Sequence, residues 1–399
     1  MSEIPASTGA PLPASGTVHW IGTGLSTGRA GLALVCERAE QVVFWGRTAD
    51  RAAARLAELG LTGRAEARAL DHAELAARLR PGDIVVSMLP AAHHATLLRL
   101  CGEHGAHFAC SSYVSEEILA EAERAAGSGT VQLTEAGLDP GIDHLMAHLL
   151  VGRARAAVGD AAASAVFTSY CGGVPAVPND FRYRFSWAPA GVLNALRSPA
   201  RYVLGGEERT SERPWEATRQ LVLGGEEFEV YPNRDSVPFV AQYGIPSGWP
   251  LDTFVRGTLR NAGWRQAWQP VFETVQTGDP ARIEALAKEL AARHPMTDTD
   301  RDRVVLSVDL EVRTGSGDGW HGAYLLDVTG DADESAMARC VSLPLAHGIT
   351  RILDGALRPG LNRAAEDPAE AERWMAFLAG AGLAAEFRES PISIQGEPA

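Results

Sequence analysis

From Thr17 onward, short apolar runs alternate with stretches whose apolar residues recur every three or four positions. "VHWIGTG" reads as a strand running into a glycine turn, and "RAGLALVCERA" as the helix after it. "QVVFWGRT", "DIVVSMLP", "AHFACSSY" and "TVQLTEAG" repeat the strand pattern. "ADRAAARLAELG", "AHHATLLRLCGEHG" and "SEEILAEAERAAGSG" repeat the helical one. Strands separated by helices of this length predict right-handed crossovers and a parallel sheet covered on both faces, the doubly wound α/β arrangement.

After about Pro140 the texture changes. "AAASAVFTSYCGG", "RYRFSW", "QLVLGGEEFEVYP", "FVRGTLR", "RVVLSVDLEVRT" and "WHGAYLLDV" read as strands joined mostly by turns, which predicts a mixed or antiparallel sheet. "ARIEALAKELAARH", "GDADESAMARCVSLPLAHGITRILDG" and "AEAERWMAFLAGAGL" read as helices.

The chain has 399 residues, 46% apolar and 22% charged, the balance of a globular protein with room for two domains. No apolar run approaches the roughly 20 residues that span a bilayer. The opening "MSEIPASTGAPLPASG" has neither a basic cluster nor an apolar core, so it is expected to be a disordered lead over residues 1–16 rather than a signal peptide. Five scattered cysteines without a CxxC pair suit a reducing cytoplasm and suggest neither a disulfide framework nor a metal site. A net charge of −14 disfavours nucleic acid and anionic membranes as partners.

"WIGTGLSTGRAG" sets Gly22 and Gly24 at G-x-G spacing, with Leu25 and Ser26 between them and Thr27, where a third glycine would stand. Such a turn lets a pyrophosphate sit on backbone N–H groups at a helix N-terminus, although glycine turns also occur without any nucleotide. The second strand ends in Arg47 and Thr48, not in the acidic residue that binds the ribose of NAD. A forked guanidinium there favours the 2′-phosphate of NADP(H). The alternative is an exposed arginine beside a helix-capping threonine. Leu89 and Pro90, closing "DIVVSMLP", complete the expected cofactor set.

"CSSYVSEEILAEAERAAGSGTVQLTEAGLDPGIDHLMA", "TSYCGGVPA", "RFSWAPAGVL", "YPNRDS" and "VRGTLRNAGW" occur in order along the chain. With these motifs the sequence resembles the saccharopine dehydrogenase family, specifically its NADP-dependent, glutamate-forming branch, also called saccharopine reductase. The resemblance covers nearly everything from Val18. It implies a reversible reductive condensation in which α-aminoadipate semialdehyde and glutamate form an imine that NADPH reduces to a secondary amine. It also implies a Rossmann-type domain over 17–139, an inserted α/β domain over 140–345 that binds substrate and pairs subunits into a homodimer, and a C-terminal helical segment over 346–399 that packs back on the first domain.

Such a reaction needs a proton donor, a negative charge near the cationic imine, and cations for the substrate carboxylates. Asp139 and Tyr113 are the candidates for the reacting centre, with Cys171 as a small residue beside it; Asp139 also reads as a helix cap, and Tyr113 as a rim aromatic. Arg234 is the candidate carboxylate clamp, with Ser236, Asp143, Ser112 and Gly172 around the substrate, while His144 reads as a buried histidine of the same turn. Where the family has F-S-W-S-P-R-G-V, this chain has Ala188 and Ala190 in place of serine and arginine, which leaves the substrate open unless Arg182 or Arg184 substitutes. Other readings are a carboxynorspermidine-type or opine-like enzyme with a different amine, and a non-catalytic NADP(H)-binding sensor.

Overall fold

The computed structural model describes residues 11–159, 162–297 and 299–392. Of the expected disordered lead, residues 1–10 lie outside the described residues; beyond them, Leu12 N donates to Gly129 O (2.7 Å) and Ser15 N to Gly82 O (2.8 Å). The chain divides into two compact units, Met1–His144 with Ala338–Glu366 and Arg373–Ala381, and Leu145–Met337 with Asp367–Glu372 and Gly382–Ala399.

In the first unit, strands β1 (Thr17–Ile21), β2 (Gln41–Gly46), β3 (Glu66–Ala69), β4 (Ile84–Ser87), β5 (His107–Cys110) and β6 (Val131–Thr134) alternate with helices α1 (Arg29–Arg38), α2 (Ala49–Glu58), α3 (His72–Arg78), α4 (His94–His104) and α5 (Glu116–Arg124). The sheet is parallel, in the order β15-β6-β5-β4-β1-β2-β3, where β15 is Gly360–Arg363. Strands β1, β4 and β5 read as apolar runs because both of their faces are covered; Val18, Trp20, Ile84, Val85 and Phe108 are fully buried. Three of these helices, α2, α3 and α5, start at side-chain caps. Thr48 Oγ accepts from Arg51 N, Asp71 Oδ1 from Glu74 N and Ser115 Oγ from Ile118 N. A Cβ on Gly31 would stand 2.4 Å from Ser342 O, so the glycine lets α1 lie directly on the helix Ala336–Leu353.

In the second unit the long strands β7 (Ala162–Pro175), β12 (Leu251–Asn261), β13 (Asp302–Thr314) and β14 (Gly319–Thr329) form the centre of a mixed sheet. The order is β10-β11-β12-β7-β13-β14-β16, with β10 Arg219–Leu223, β11 Glu226–Pro232 and β16 Glu386–Ile392. Two further strands, β8 (Ala200–Leu204) and β9 (Glu207–Ser211), hang from β12. β7 and β12 are parallel, from Leu251↔Ala165 to Thr258↔Cys171, and the other pairs are antiparallel. One apolar cluster gathers Tyr183, Trp215, Tyr231, Trp264, Trp268 and Phe272; another gathers Tyr170, Tyr202, Phe228, Leu259 and Val305.

"RYRFSW" is not a strand. Arg182 takes φ 56°, and the Asn179 side chain clasps Tyr183 at both its N–H and its carbonyl (3.1 Å each), so the segment is coiled and its aromatic rings enter the first of those clusters. β15 and β16 lie within residues 346–399, where the expectation is a helical segment; β15 pairs with β6 and β16 with β14.

Candidate active site

The first strand ends in the glycine loop. Gly22 takes φ 123° and donates its N–H to Trp45 O (3.0 Å), and a Cβ there would press on the Met88 backbone at 3.0 Å. Thr27 is buried and closes the loop from within, its hydroxyl donating to Gly22 O (2.9 Å) and its N–H to Gly24 O (3.0 Å). A Cβ on Gly24 would meet nothing within 4 Å, which leaves backbone and open space where a pyrophosphate approaches the start of α1. Leu25 is exposed and Ser26 half-buried on the same loop.

Arg47 follows β2, exposed and without an ion pair among the described residues, while Thr48 beside it caps α2. Leu89, half-buried, and Pro90, exposed, follow β4. Since β1 lies between β2 and β4, these residues share the carboxyl edge of the sheet, where ligands of this architecture bind. The set fits a phosphorylated dinucleotide.

Tyr113 and Asp139 come together farther along that edge. Tyr113 follows β5, Asp139 stands in the turn after β6, and the Tyr113 hydroxyl donates to Asp139 Oδ1 at 2.5 Å. The turn is held by Gly137 N to Pro140 O (2.9 Å) and Ile142 N to Gly137 O (2.9 Å). Asp143 is fully buried and accepts from Gly141 N (2.7 Å), so this aspartate braces the turn. Ser112 Oγ lies 2.8 Å from His94 Nε2, and His94 Nδ1 lies 2.9 Å from Ser87 Oγ. Burial, with a smaller contribution from His93, pushes His94 down to about 4, so it is neutral near pH 7.

His144 stands behind the pair, its ring edge-on to Tyr113 with centroids 6.5 Å apart. Nε2 lies 3.2 Å from Glu135 Oε2 and Nδ1 lies 3.3 Å from Asp143 Oδ2. Glu135, which sequence reasoning did not single out, is buried at φ 54° and accepts from Val114 N (3.1 Å). Burial alone would raise its carboxyl, but the His144 imidazole, the Val114 N–H and the Arg363 guanidinium outweigh that and hold it at about 2. A folded value below the ordinary 4.5 means that this carboxylate stabilises the fold above pH 4.5 and loses its contribution as the pH falls towards 2. Glu135→Gln should therefore lower the melting temperature at pH 7 and flatten its decline between those values, as a melting series across pH will show.

In the second unit Cys171 is buried on β7 opposite Thr258. A Cβ on Gly172 would stand 2.1 Å from Leu259 O, so only glycine allows β7 and β12 to approach this closely. Arg234 is exposed at φ 57°, and its carbonyl accepts from Arg201 N (2.9 Å). Ser236 is fully buried, accepting from Arg256 N (2.9 Å), so its hydroxyl anchors the loop to β12. Ala188 precedes the helix Pro189–Ala195, and Ala190 packs against the tryptophan-rich cluster. Arg184 is engaged by Asp300 (3.2 Å) and by Pro295 O, and is not available as a substitute for the missing arginine. Among the described residues no group of three or more His, Cys, Asp or Glu is placed to hold a metal ion, and no helix is long and apolar enough to cross a membrane.

The family model described as the saccharopine dehydrogenase NADP binding domain matches residues 18–133, and the one described as the saccharopine dehydrogenase C-terminal domain matches residues 137–383. The chain belongs to the saccharopine dehydrogenase family. Its first unit carries the family's NADP-binding domain. A curated relative, the saccharopine dehydrogenase [NADP(+), L-glutamate-forming] of Pyricularia oryzae, is 37% identical over 207 residues, 49% of this chain and 44% of that protein. The alpha-aminoadipic semialdehyde synthase of Arabidopsis thaliana is 38% identical over 190 residues, 46% of this chain and 17% of that protein. The chain thus spans less than half the length of either. The solved apo saccharopine dehydrogenase (L-Glu forming) of Saccharomyces cerevisiae superposes with a TM-score of 0.77 at 24% identity, covering 94% of this chain and all of that one, and shows that the fold is shared.

Proposed function

We propose that this protein is an NADP-dependent oxidoreductase of the saccharopine reductase type. It joins an aldehyde to the amino group of an amino acid and reduces the resulting imine to a secondary amine. The observation that carries this reading is the Tyr113–Asp139 pair on the carboxyl edge of a sheet that also bears the glycine loop and Arg47. A carboxylate in contact with a phenol is the pairing needed where a carbinolamine loses water and a cationic imine develops. Asp139 opposes the positive charge of the imine, and Tyr113 Oη holds the proton that departs with the carbinolamine hydroxyl. NADPH, when bound, supplies the hydride. Gly22 and Gly24 clear a path for its pyrophosphate, and Arg47 takes its 2′-phosphate. In the second unit, Arg234 is assigned to a substrate carboxylate.

For the amine partner, a specific observation favours one other than glutamate. Ala188 and Ala190 remove a hydroxyl and a guanidinium from the family motif, and Arg184 is committed to Asp300. NADPH consumption with aminoadipate semialdehyde and a panel of amines, glutamate among them, tests both forms; nucleotide binding without turnover on any amine would reject an enzyme altogether. Homodimer assembly and a cytoplasmic setting belong to the same reading, drawn from the resemblance and from the cysteine usage, and sedimentation checks the first.

Cofactor choice follows Arg47. Arg47→Ala should raise the Michaelis constant for NADP(H) by about tenfold or more and leave that for NAD(H) nearly unchanged, because the 2′-phosphate alone uses that charge. Equal effects on both cofactors would remove Arg47 from the phosphate site.

A further inference from the structure

We propose that Arg260 forms the floor of a carboxylate subsite in the second unit, distinct from Arg234. Arg260 lies on β12, on the same face as Arg256 and Thr258. The residue is 6% exposed. Its Cζ stands 5.0 Å from the Tyr183 ring centre, 5.7 Å from Trp264 and 5.9 Å from Tyr231. Nη1 donates to Leu259 O (3.0 Å), and the buried Nε makes no hydrogen bond. No acid pairs with this guanidinium among the described residues. Glu229 faces it in the strand register, yet its two carboxylate oxygens accept from Gly263 N (3.0 Å) and Arg265 N (2.7 Å) instead.

The polar atoms around Arg260 are unsatisfied in the same sense. Trp264 Nε1 and Ser186 Oγ are buried without a hydrogen bond. Burial pushes the Tyr183 phenol up, against the opposing charge of Arg260 and a hydrogen bond from Trp187, so it stays neutral with its own proton free to donate. Ser186 Oγ would stand 3.0 Å from a Cβ on Gly173. Gly173 lies two residues beyond Cys171 on β7, as Arg260 lies two beyond its register partner Thr258 on β12. Every one of these groups can donate. A buried donor with no acceptor is destabilising, and an unpaired buried charge more so, so a lone protein would not assemble three of them without a ligand in view. An anion seated at the guanidinium would supply the acceptor that this buried charge lacks. The planar fork and its aromatic walls suit one carboxylate better than a doubly charged phosphate, since two parallel N–H bonds match a carboxylate edge. On the oxidoreductase reading, on which this inference rests for its ligand class, the occupant is a carboxylate of the amino-acid substrate.

The test is a titration of the full chain, with NADP+ present and at constant ionic strength, using glutarate in one arm and inorganic phosphate in the other. Indole fluorescence and calorimetry are the readouts. Wild type should bind glutarate saturably. Arg260→Met should weaken that binding by about tenfold or more, and Tyr183→Phe by about threefold or more, with NADP+ affinity retained in both. Without glutarate, Arg260→Met should melt at or above the wild-type temperature, because a buried charge has been replaced by an apolar group, and glutarate should no longer raise it. Equal glutarate affinity in Arg260→Met and wild type, no saturable glutarate binding in wild type, or phosphate binding tighter than glutarate would each overturn the proposal. If Arg260→Met does not fold, unchanged affinity in Tyr183→Phe overturns it instead. Binding is read without turnover, so the two ideas separate. Glutarate binding that depends on Arg260, in a protein that turns over no amine, keeps the subsite and removes the oxidoreductase. Turnover with glutarate binding indifferent to Arg260 does the reverse.

Discussion

Asp139→Asn is expected to lower turnover by about a hundredfold, roughly 2.7 kcal/mol of transition-state stabilisation, with the melting temperature nearly unchanged. Asparagine keeps the size of aspartate, and its Oδ1 still accepts from Tyr113 Oη, so the contact seen at 2.5 Å survives in neutral form. What is lost is the negative charge opposite a cationic imine. A merely structural aspartate predicts the opposite pattern, turnover kept and stability lowered. Asp143 braces the same turn through Gly141 N. Steady-state kinetics and a melting curve on the one variant separate the two patterns, and full activity would leave the proton chemistry to Tyr113 or to water.

Gly141→Ala is expected to act on the same turn through the backbone. Gly141 takes φ 145°, and a Cβ there would stand 2.0 Å from Gly137 O and 2.4 Å from Gly137 C, closer than any relaxed structure tolerates. Strain of this kind costs of order 1–3 kcal/mol before the clash is counted, so a melting temperature lower by roughly 5 °C or more should accompany a fall in turnover. Both effects follow from one displacement, because the Gly137–Pro140 bond that the new methyl disrupts also sets where Asp139 points. Wild-type stability in this variant would show that the turn has room the structure does not give it.

The first unit was legible because buried parallel strands are continuous apolar runs and their helices keep one apolar stripe, as "DIVVSM" and "ADRAAARLAELG" do. β15 escaped notice because "GLNR" is four residues long with two polar side chains, and its place is fixed only by pairing with β6. "RYRFSW" misled because Tyr183, Phe185 and Trp187 alternate with polar residues as a strand would, while Arg182 and the Asn179 clasp bend the chain. In the candidate site, residue types were readable but partnerships were not. Tyr113 and Asp139 stand 26 positions apart, and only the adjacency of β5 and β6 joins them. Glu135 reads as an ordinary residue at the end of the strand "TVQLTEAG", because nothing in the sequence shows that His144 and Arg363 converge on it. Likewise, no pattern shows that backbone N–H groups claim the oxygens of Asp143 and Ser236.

The central claim, that the chain reduces an imine joining an aldehyde to an amino acid, is tested most directly by following the hydrogen. Purified protein is incubated with aminoadipate semialdehyde, an amino acid and NADPH carrying deuterium at the transferable C4 position, and the products are resolved by mass spectrometry. The account predicts a secondary amine whose mass equals that of the two reactants less one water and plus one hydrogen and one deuterium, with the deuterium on the former aldehyde carbon and with no such product when either reactant is omitted. Consumption of NADPH to give a deuterated alcohol, or no product with any amine while NADPH stays bound, would contradict it.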